Sequence, residues 1–563
     1  MAEIFKIGLG KQSITPPPNG EILMGWGDPK HRALEIGLPL HARATVLQSG
    51  DALFALACLE ICFITQALRD EVLRRLQASD ARWTEDAVML CATHTHCAPG
   101  GHTHDVLYNL PSFGYYPHVF EKYVEGTVAA IQEAVGNMRE GRIRYAEAGF
   151  SVETPVAFNR SIQAWNQNPD VDAFSYDDRA RALDRTMRLF RFEDLNGNFI
   201  GCLNEFAVHC TSVHRDYKMI HADNKGVAAA ELEKELGGVC TFVQGASGDS
   251  SPNFQRFRGL REVRGTDRDD LESARKNGLM QSEMALELVR KASSANPISA
   301  ELDTAIEYFD FSKIHVDSRD VNGRTDCYTG PAVIGARALL GTDEGMPTPK
   351  IVYHVAKGLS RAADLVEFIS SGGQKKFLPG FDPVQGPKEG CIQSGESQVF
   401  RARGFENSLV PEFLDPLLAL LKSWSRKKLM SRPLTPQILP LQSVRLGDWI
   451  WVSVPSEFTT TSGARLKKSV LADLQGTWAK RALLIGYANS YSGYVTTPEE
   501  YQLQLYEGAS THFGQWTQPA YQTAFRKLIE KFLKPRSERS TTFIHPPVPT
   551  DDELVELRAP PLK

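Results

Sequence analysis

The sequence is short of the features that would place it in several common classes. Its nine cysteines in 563 residues are an odd number and form no Cys-x-x-Cys pair, which argues against a disulfide framework. Cys58, Cys62, Cys91 and Cys202 instead fall in apolar, strand-like runs and read as buried thiols. The opening Met-Ala-Glu-Ile-Phe-Lys has no basic segment followed by an apolar core, so no signal peptide is expected and the default location is cytoplasmic. No stretch reaches the ~18 apolar residues of a membrane span. The longest candidate, Ala52 to Ile64, is broken by Glu60 and reads as a buried strand. A net charge of −5 gives no electrostatic reason to expect nucleic acid as a partner. Internal repeats and low-complexity tracts are also missing.

What remains is an ordinary globular composition, 42% hydrophobic and 23% charged, which permits a large core. The length allows several domains or one large α/β catalytic domain. Strands are expected over Ala44 to Leu47, Leu53 to Cys58, Met187 to Phe192, Phe199 to Val208, Cys240 to Gln244, Trp449 to Val454 and Ala482 to Tyr487. Helices are expected over Ala67 to Gln77, Phe120 to Asn137 and Val227 to Glu235. Asp194-Leu195-Asn196-Gly197-Asn198 is a hairpin signal. The charged stretch from Phe254 to Asn277 reads as a solvated loop and helix. Residues 320 to 400, dense in Gly and Pro, read as an irregular segment of the kind that carries binding loops. The tail from Pro535 is expected to wrap the surface without a fold of its own.

The most informative stretch is Thr93-His94-Thr95-His96-Cys97-Ala98-Pro99-Gly100-Gly101, directly after the apolar run Ala87 to Leu90. Period-two geometry would put His94 and His96 on one face at a strand end. Two imidazoles converging there suit a metal such as zinc. Four further segments place polar residues after a buried strand. Phe206-Ala207-Val208-His209 ends in an imidazole that is either a ligand or a hydrogen-bonded core histidine. Gly245 to Asn253 is a small-residue turn that would expose a serine and free backbone N–H donors, or is an ordinary Ser/Gly turn. Glu457, after Val454-Pro455-Ser456, offers a carboxylate for metal or base chemistry, or a surface charge. Tyr491-Ser492-Gly493-Tyr494, with Tyr501 and Tyr506 downstream, supplies clustered phenols that read singly as core or substrate wall.

Taken in order, these segments resemble the neutral/alkaline (non-lysosomal) ceramidases, metal-dependent amidases that cut the N-acyl bond of ceramide to fatty acid and sphingosine. The resemblance begins at Gly10 to Gly25 and centres on Thr93 to Gly101. It continues through Asn159-Arg160-Ser161, Phe206 to Ser212, Asp223-Asn224-Lys225-Gly226, Gly248 to Asn253, Glu457 to Thr460 and Tyr491 to Tyr494, spanning about residues 8 to 515. It implies a mixed α/β catalytic domain over 1–534, followed by a Pro-rich charged tail over 535–563. By that resemblance His94, His209, Glu457 and Tyr494 would ligate one Zn²⁺ per chain, each being a reasonable N or O donor. Ser251 matches the family's catalytic serine, either attacking the carbonyl or holding substrate while activated water attacks. His96, Arg160 and Tyr506 match residues near the scissile amide. One good oxyanion donor is worth about 3–4 kcal/mol, and His96 is also placed to pass a proton to the leaving amine.

The departures from the family pattern are specific. The relatives are typically exported and carry a β-sandwich domain after the catalytic one, whereas this chain shows no leader and stops near where that domain would begin. The charged segment 256–277 replaces a cysteine-rich loop, and Cys97 and Cys210 stand where small residues are expected. The reading is therefore a zinc-dependent amidohydrolase acting on ceramide or a ceramide-like lipid. The partner is a small lipid or N-acyl molecule, with peripheral membrane contact and oligomeric state left open. Candidate walls for the acyl chain are Leu107 to Tyr116 and the 320–400 region. The alternatives are a related zinc amidase or esterase acting on a lipoamino acid or lipopeptide, and a non-catalytic lipid-binding relative. A metallo-β-lactamase-type site is disfavoured because Cys97-Ala98-Pro99 follows His96, so the Asp-His half of the His-x-His-x-Asp-His motif is missing.

Overall fold

The structure, a computed structural model, describes residues 3–345, 350–370, 382–399, part of 420–429, and 432–560. Eight strands build the larger sheet: β1 (Phe5–Ser13), β2 (His41–Ser49), β3 (Ala52–Leu59), β4 (Val88–Ala92), β5 (Arg139–Gly149), β6 (Thr186–Asp194), β7 (Phe199–Glu205) and β8 (Val239–Val243). Their spatial order is β8-β7-β6-β5-β1-β2-β3-β4. The outer pairs β3/β4 and β7/β8 are parallel, and the pairs between them are antiparallel. A second sheet of β9 (Leu302–Asp310), β10 (Ile438–Leu446), β11 (Trp449–Ser453) and β12 (Arg481–Ile485) runs in that order.

Side-chain alternation stacks these sheets into four layers. Along β3, Leu53, Ala55, Ala57 and Leu59 face the helices α1 (Gln66–Ser79) and α2 (Pro117–Gly136), while Phe54, Leu56 and Cys58 face the second sheet. β4 repeats this, with Val88, Leu90 and Ala92 outward and Met89 and Cys91 inward. Along β11, Trp449 and Trp451 meet the large sheet, while Ile450 and Val452 pack in the core shared with α6 (Thr460–Asp473) and α7 (Thr517–Phe532). The other half of the large sheet is covered by α3 (Asp223–Leu236) and α4 (Asp270–Ala292). Layer spacing is set partly by glycine: a Cβ on Gly8 of β1 would sit 1.9 Å from the Ala134 carbonyl oxygen of α2.

The large sheet curls so that its edge strands approach one another, which is what brings the site together. The Cys58 thiol of β3 reaches the Phe242 carbonyl of β8 at 3.5 Å. Just beyond the strands, the Gln244 side-chain amide continues the seam: its Nε2 donates to the carbonyls of Thr93 at 2.8 Å and Val208 at 2.6 Å. The segments that follow β4, β7 and β8 therefore meet above one end of the sheet.

Five expectations change. The apolar run from Ala52 is a strand only to Leu59; Glu60 turns inward to the buried Arg43. Phe199 to Val208 is a strand only to Glu205. The charged stretch 254–277 is partly internal: Glu262, Arg264 and Asp270 are buried, and Arg264 pairs with Asp270 at 2.6 Å. Charge runs do not report burial when their members neutralise one another. Within 320–400 the structure has a long helix, α5 (Lys350–Ser370), and the tail after Pro535 carries α8 (Asp551–Leu557), with Leu557 buried and bonded through its carbonyl to Tyr115 N.

Buried titratable groups give the fold a pH dependence. Burial pushes His31, His102, His104 and His221 down to about 4 and His512 down to about 3, from an ordinary 6.5. The unfolded chain takes up protons on these groups near pH 6.5 that the folded chain refuses until about pH 4, so their contribution to stability is lost on acidification. Burial also raises Asp105 and Asp223 to about 6 and Asp249 to about 7, which has the opposite sign between those values and 3.8. Five histidines against three carboxylates predict a melting temperature that falls from about pH 7 to about pH 4.5. A thermal series that rises toward acid would contradict this balance.

Candidate metal centre and active site

β4 ends at Ala92, and the chain then turns with His94 at φ +72°. His94 and His96 are thus brought together by a left-handed turn rather than by strand pleating, their Nε2 atoms 3.1 Å apart. His94 Nδ1 lies 2.7 Å from the Cys62 carbonyl. A carbonyl only accepts, so Nδ1 carries the proton and the Nε2 lone pair is free. His209, beyond β7, repeats the arrangement: its Nδ1 faces the Ser247 carbonyl at 2.7 Å and the Ser250 carbonyl at 3.1 Å. Holding the ring through one nitrogen and presenting the other is how metal-ligating histidines are oriented.

Glu457 enters from the second sheet. A short parallel pairing of Glu457–Phe458 with Tyr494–Val495 sets it beside Tyr494. Its Oε2 lies 3.1 Å from His209 Nε2 and 3.5 Å from His94 Nε2. Tyr487 donates to Oε2 at 3.2 Å, and the Tyr491 hydroxyl donates to Oε1. Burial opposes ionisation of Glu457, but the neighbouring imidazoles and these hydroxyls hold its carboxyl well below the usual range. Burial lowers His94 to about 4 and His96 further from its ordinary value, so both rings are neutral at pH 7.

Ligand atoms of His94, His209 and Glu457 all lie within 4.8 Å of one another, a spacing that can hold one cation. A second grouping of Cys62, His94 and His96 is less suitable. Burial and the nearby Glu457 raise the Cys62 thiol far above its ordinary value, while His94 Nδ1 is engaged by the carbonyl. Tyr494 lies beside the first group, 3.4 Å from His209 Nε2, and it accepts from Arg160 Nη2 at 3.0 Å. Burial and Glu457 push its hydroxyl well above 10, so a cation would be needed to draw it toward the phenolate.

Arg160 is held by four contacts. Nε donates to Glu507 at 2.9 Å, Nη1 to Glu344 at 3.1 Å, and Nη2 to the Gly248 carbonyl at 2.8 Å as well as to Tyr494. Its guanidinium has five N–H donors, so one remains for a ligand. Tyr506 stands edge-on to Tyr494 at 5.4 Å between ring centres and lies beside the Arg160 guanidinium. Ser251 occupies the turn that cradles His209. Its hydroxyl accepts from Asn253 N at 2.8 Å, and among the described residues no histidine or carboxylate of the cluster bonds it. The structure therefore gathers His94, His96, His209, Glu457, Tyr494, Arg160 and Tyr506 and sets Ser251 one turn away.

A cleft of about 490 Å³ leads to Arg160, Tyr506 and Glu507. Its other walls include Leu340 to Asp343, Tyr353 and His354, within the 320–400 region, whereas Leu107 to Tyr116 does not line it. A more apolar cavity of about 360 Å³ between α1, residues 432–438 and the tail contains none of the clustered residues. Sequence reasoning missed Tyr487, Glu344 and Glu507, and gave Tyr491 no role. Tyr491 and Glu507 adjoin recognised motifs, whereas Glu344 lies in an irregular segment that carries no signal. Gly25 was noted only as part of a motif. At φ +111° it packs so closely that a Cβ would lie 2.3 Å from the His96 ring. Gly25→Ala is expected to displace His96 and lower turnover at least about tenfold while sparing metal binding, by analogy with small misplacements at reacting centres; unchanged steady-state kinetics would refute the contact's importance.

The family model for "Neutral/alkaline non-lysosomal ceramidase, N-terminal" matches residues 5–411 and 420–523. The neutral ceramidase of Pseudomonas aeruginosa is 31% identical over 531 residues, covering 92% of this chain and 71% of that protein. The neutral ceramidase of Mycobacterium tuberculosis is 28% identical, covering 99% of this chain and 81% of the relative. Among solved structures, a ceramidase described as complexed with C2 superposes with a TM-score of 0.78 at 28% identity, covering 97% of this chain and 77% of that one. The chain belongs to the neutral/alkaline non-lysosomal ceramidase family.

Proposed function

We propose that the protein is a zinc-dependent amidohydrolase that cleaves the N-acyl bond of ceramide or a ceramide-like lipid to a fatty acid and a free amine. The observation that carries this reading is the convergence of two oriented imidazoles and a buried carboxylate beside Tyr494, which Arg160 links to the cleft, in a chain of this family. His94, His209, Glu457 and Tyr494 would hold the zinc. The donor set suits it: three N or O donors stand within reach, the histidine protons are committed to carbonyls, and the carboxylate is ionised. Zinc bound there would supply Lewis-acid polarisation of the amide carbonyl and lower the pKa of a bound water.

The chain's own residues divide the remaining work. Arg160 lines the cleft with one N–H left to donate, while Glu344 and Glu507 fix its plane. Tyr506 presents its ring and hydroxyl beside it, so the two offer donors to oxygen charge developing on the substrate carbonyl. His96, neutral and with Nδ1 unpartnered, is suited to take a proton and pass it to the departing amine. Ser251 serves as nucleophile or as substrate anchor; its approach requires release of the Asn253 contact.

The test is hydrolysis of a panel of N-acyl compounds bearing one acyl chain: ceramide, an N-acyl amino acid and an N-acyl peptide. The reading expects the highest kcat/KM for ceramide. Preference for either other compound would transfer the same site to the alternative class.

A further inference from the structure

The helix α5 is inverted relative to an ordinary surface helix. At 100° per residue, Tyr353, Ala356 and Ser360 lie on one side. That side faces the protein: Ala356 is buried with Ala336 and Cys391, Tyr353 packs against them, and the Ser360 hydroxyl donates to the Gly390 carbonyl at 2.7 Å. On the opposite side, Ile351, Val355, Leu359, Leu365, Val366 and Ile369 fall within an arc of about 120°. All six are between 46% and 67% exposed. A helix that gives Tyr353, Ala356 and Ser360 to its own protein and a row of large apolar side chains to the outside marks an interaction surface.

We infer that this stripe seats the enzyme on the surface of a lipid bilayer and opens the catalytic cleft onto it. The inference rests on the ceramide reading, since a long-chain ceramide resides in a bilayer. The same helix supplies both features: Tyr353 and His354 line the cleft, and Ile351 and Val355 of the stripe flank them in sequence. A lipid leaving the bilayer beside the stripe therefore meets the cleft wall within one helical turn. Basic groups border the stripe on one flank and stand beside the cleft wall. Lys357 and Arg361 project along one flank, sharing Glu389 at 3.2 and 2.7 Å, and Arg337 lies against the Tyr353 ring. An amphipathic helix with an apolar face and flanking cations lies in the interface plane, and its affinity scales with the apolar area buried. The helix does not cross the membrane; no described helix is long and apolar enough to do so.

The experiment compares the full chain with the double variant Val355→Ser, Val366→Ser in three measurements. These are sedimentation with phosphatidylcholine vesicles, hydrolysis of long-chain ceramide embedded in those vesicles, and hydrolysis of a water-dispersed short-chain ceramide. The expected result is vesicle binding weakened by about tenfold or more, a matching loss on embedded ceramide, and unchanged cleavage of the short-chain substrate. A Val366→Trp variant should bind vesicles more tightly, which keeps the test decisive if the double variant misfolds. Vesicle binding equal in all three proteins would overturn the inference. So would concentration-dependent dimerisation of the full chain that the serine pair abolishes without altering vesicle binding, because the stripe would then cover a second copy. Vesicle binding that depends on the stripe in a protein that cleaves no ceramide would instead overturn the substrate assignment and leave the docking surface standing.

Discussion

Replacing Glu457 with alanine should remove both the bound metal and the activity. Among the described residues Glu457 is the one carboxylate within reach of both His94 and His209, and it also accepts from Tyr487 and Tyr491. Its loss leaves two imidazoles and a high-pKa phenol to hold a divalent cation, a weak set without the charge that offsets the ion. It also strands the Tyr491 hydroxyl, at a cost of about 1–3 kcal/mol, while the Tyr487 hydroxyl retains that of Ser247 at 2.8 Å. Zinc content near zero and kcat/KM reduced by at least about a thousandfold are expected, given the several kcal/mol that metal polarisation contributes. Glu457→Gln separates the terms: it keeps the shape and an acceptor but removes the charge, so the fold should be retained while the metal is lost. A fully active, metal-free Glu457→Ala protein would sink the ligand assignment.

Ser251→Ala should behave in the opposite way, keeping zinc while turnover falls by about a hundredfold or more. Ser251 lies outside the ligand group, so its hydroxyl is not needed to bind the ion. The variant also frees Asn253 N from its side-chain partner, and a small loosening of the turn under His209 is expected with it. Pre-steady-state kinetics then distinguish its two roles. A nucleophile predicts a burst of amine release from the unmodified protein that the variant lacks, whereas an anchor predicts no burst in either and a raised KM in the variant. Near-normal turnover would refute a catalytic role for Ser251. It would move attention to Ser250, whose hydroxyl is bonded to the Ala207 carbonyl.

Much of the scaffold was legible because its strands alternate cleanly or are apolar on both faces. β3, β4 and β11 are recognisable as short apolar runs, and α2 by its apolar spacing. The curl of the large sheet was not legible, since it depends on contacts such as Gln244 to Thr93 across many intervening residues. His94 and His96 were identified by the right residues through an incomplete geometrical argument: the turn at φ +72°, and not the pleat, puts them together. Glu344 carries no pattern at all. It acquires meaning only when Arg160 arrives from a distant segment, and the same is true of Tyr487 under Glu457. α5 was hidden because its apolar period lies in a stretch whose surrounding glycines and prolines suggested irregular chain.

The most direct test of the whole account is zinc content per chain, measured together with hydrolysis of a short-chain fluorescent ceramide before and after chelation. The account predicts close to one zinc per chain, loss of cleavage on chelation, and recovery when zinc is restored. Cleavage that persists in protein stripped of metal would contradict the metal centre on which the proposed chemistry depends.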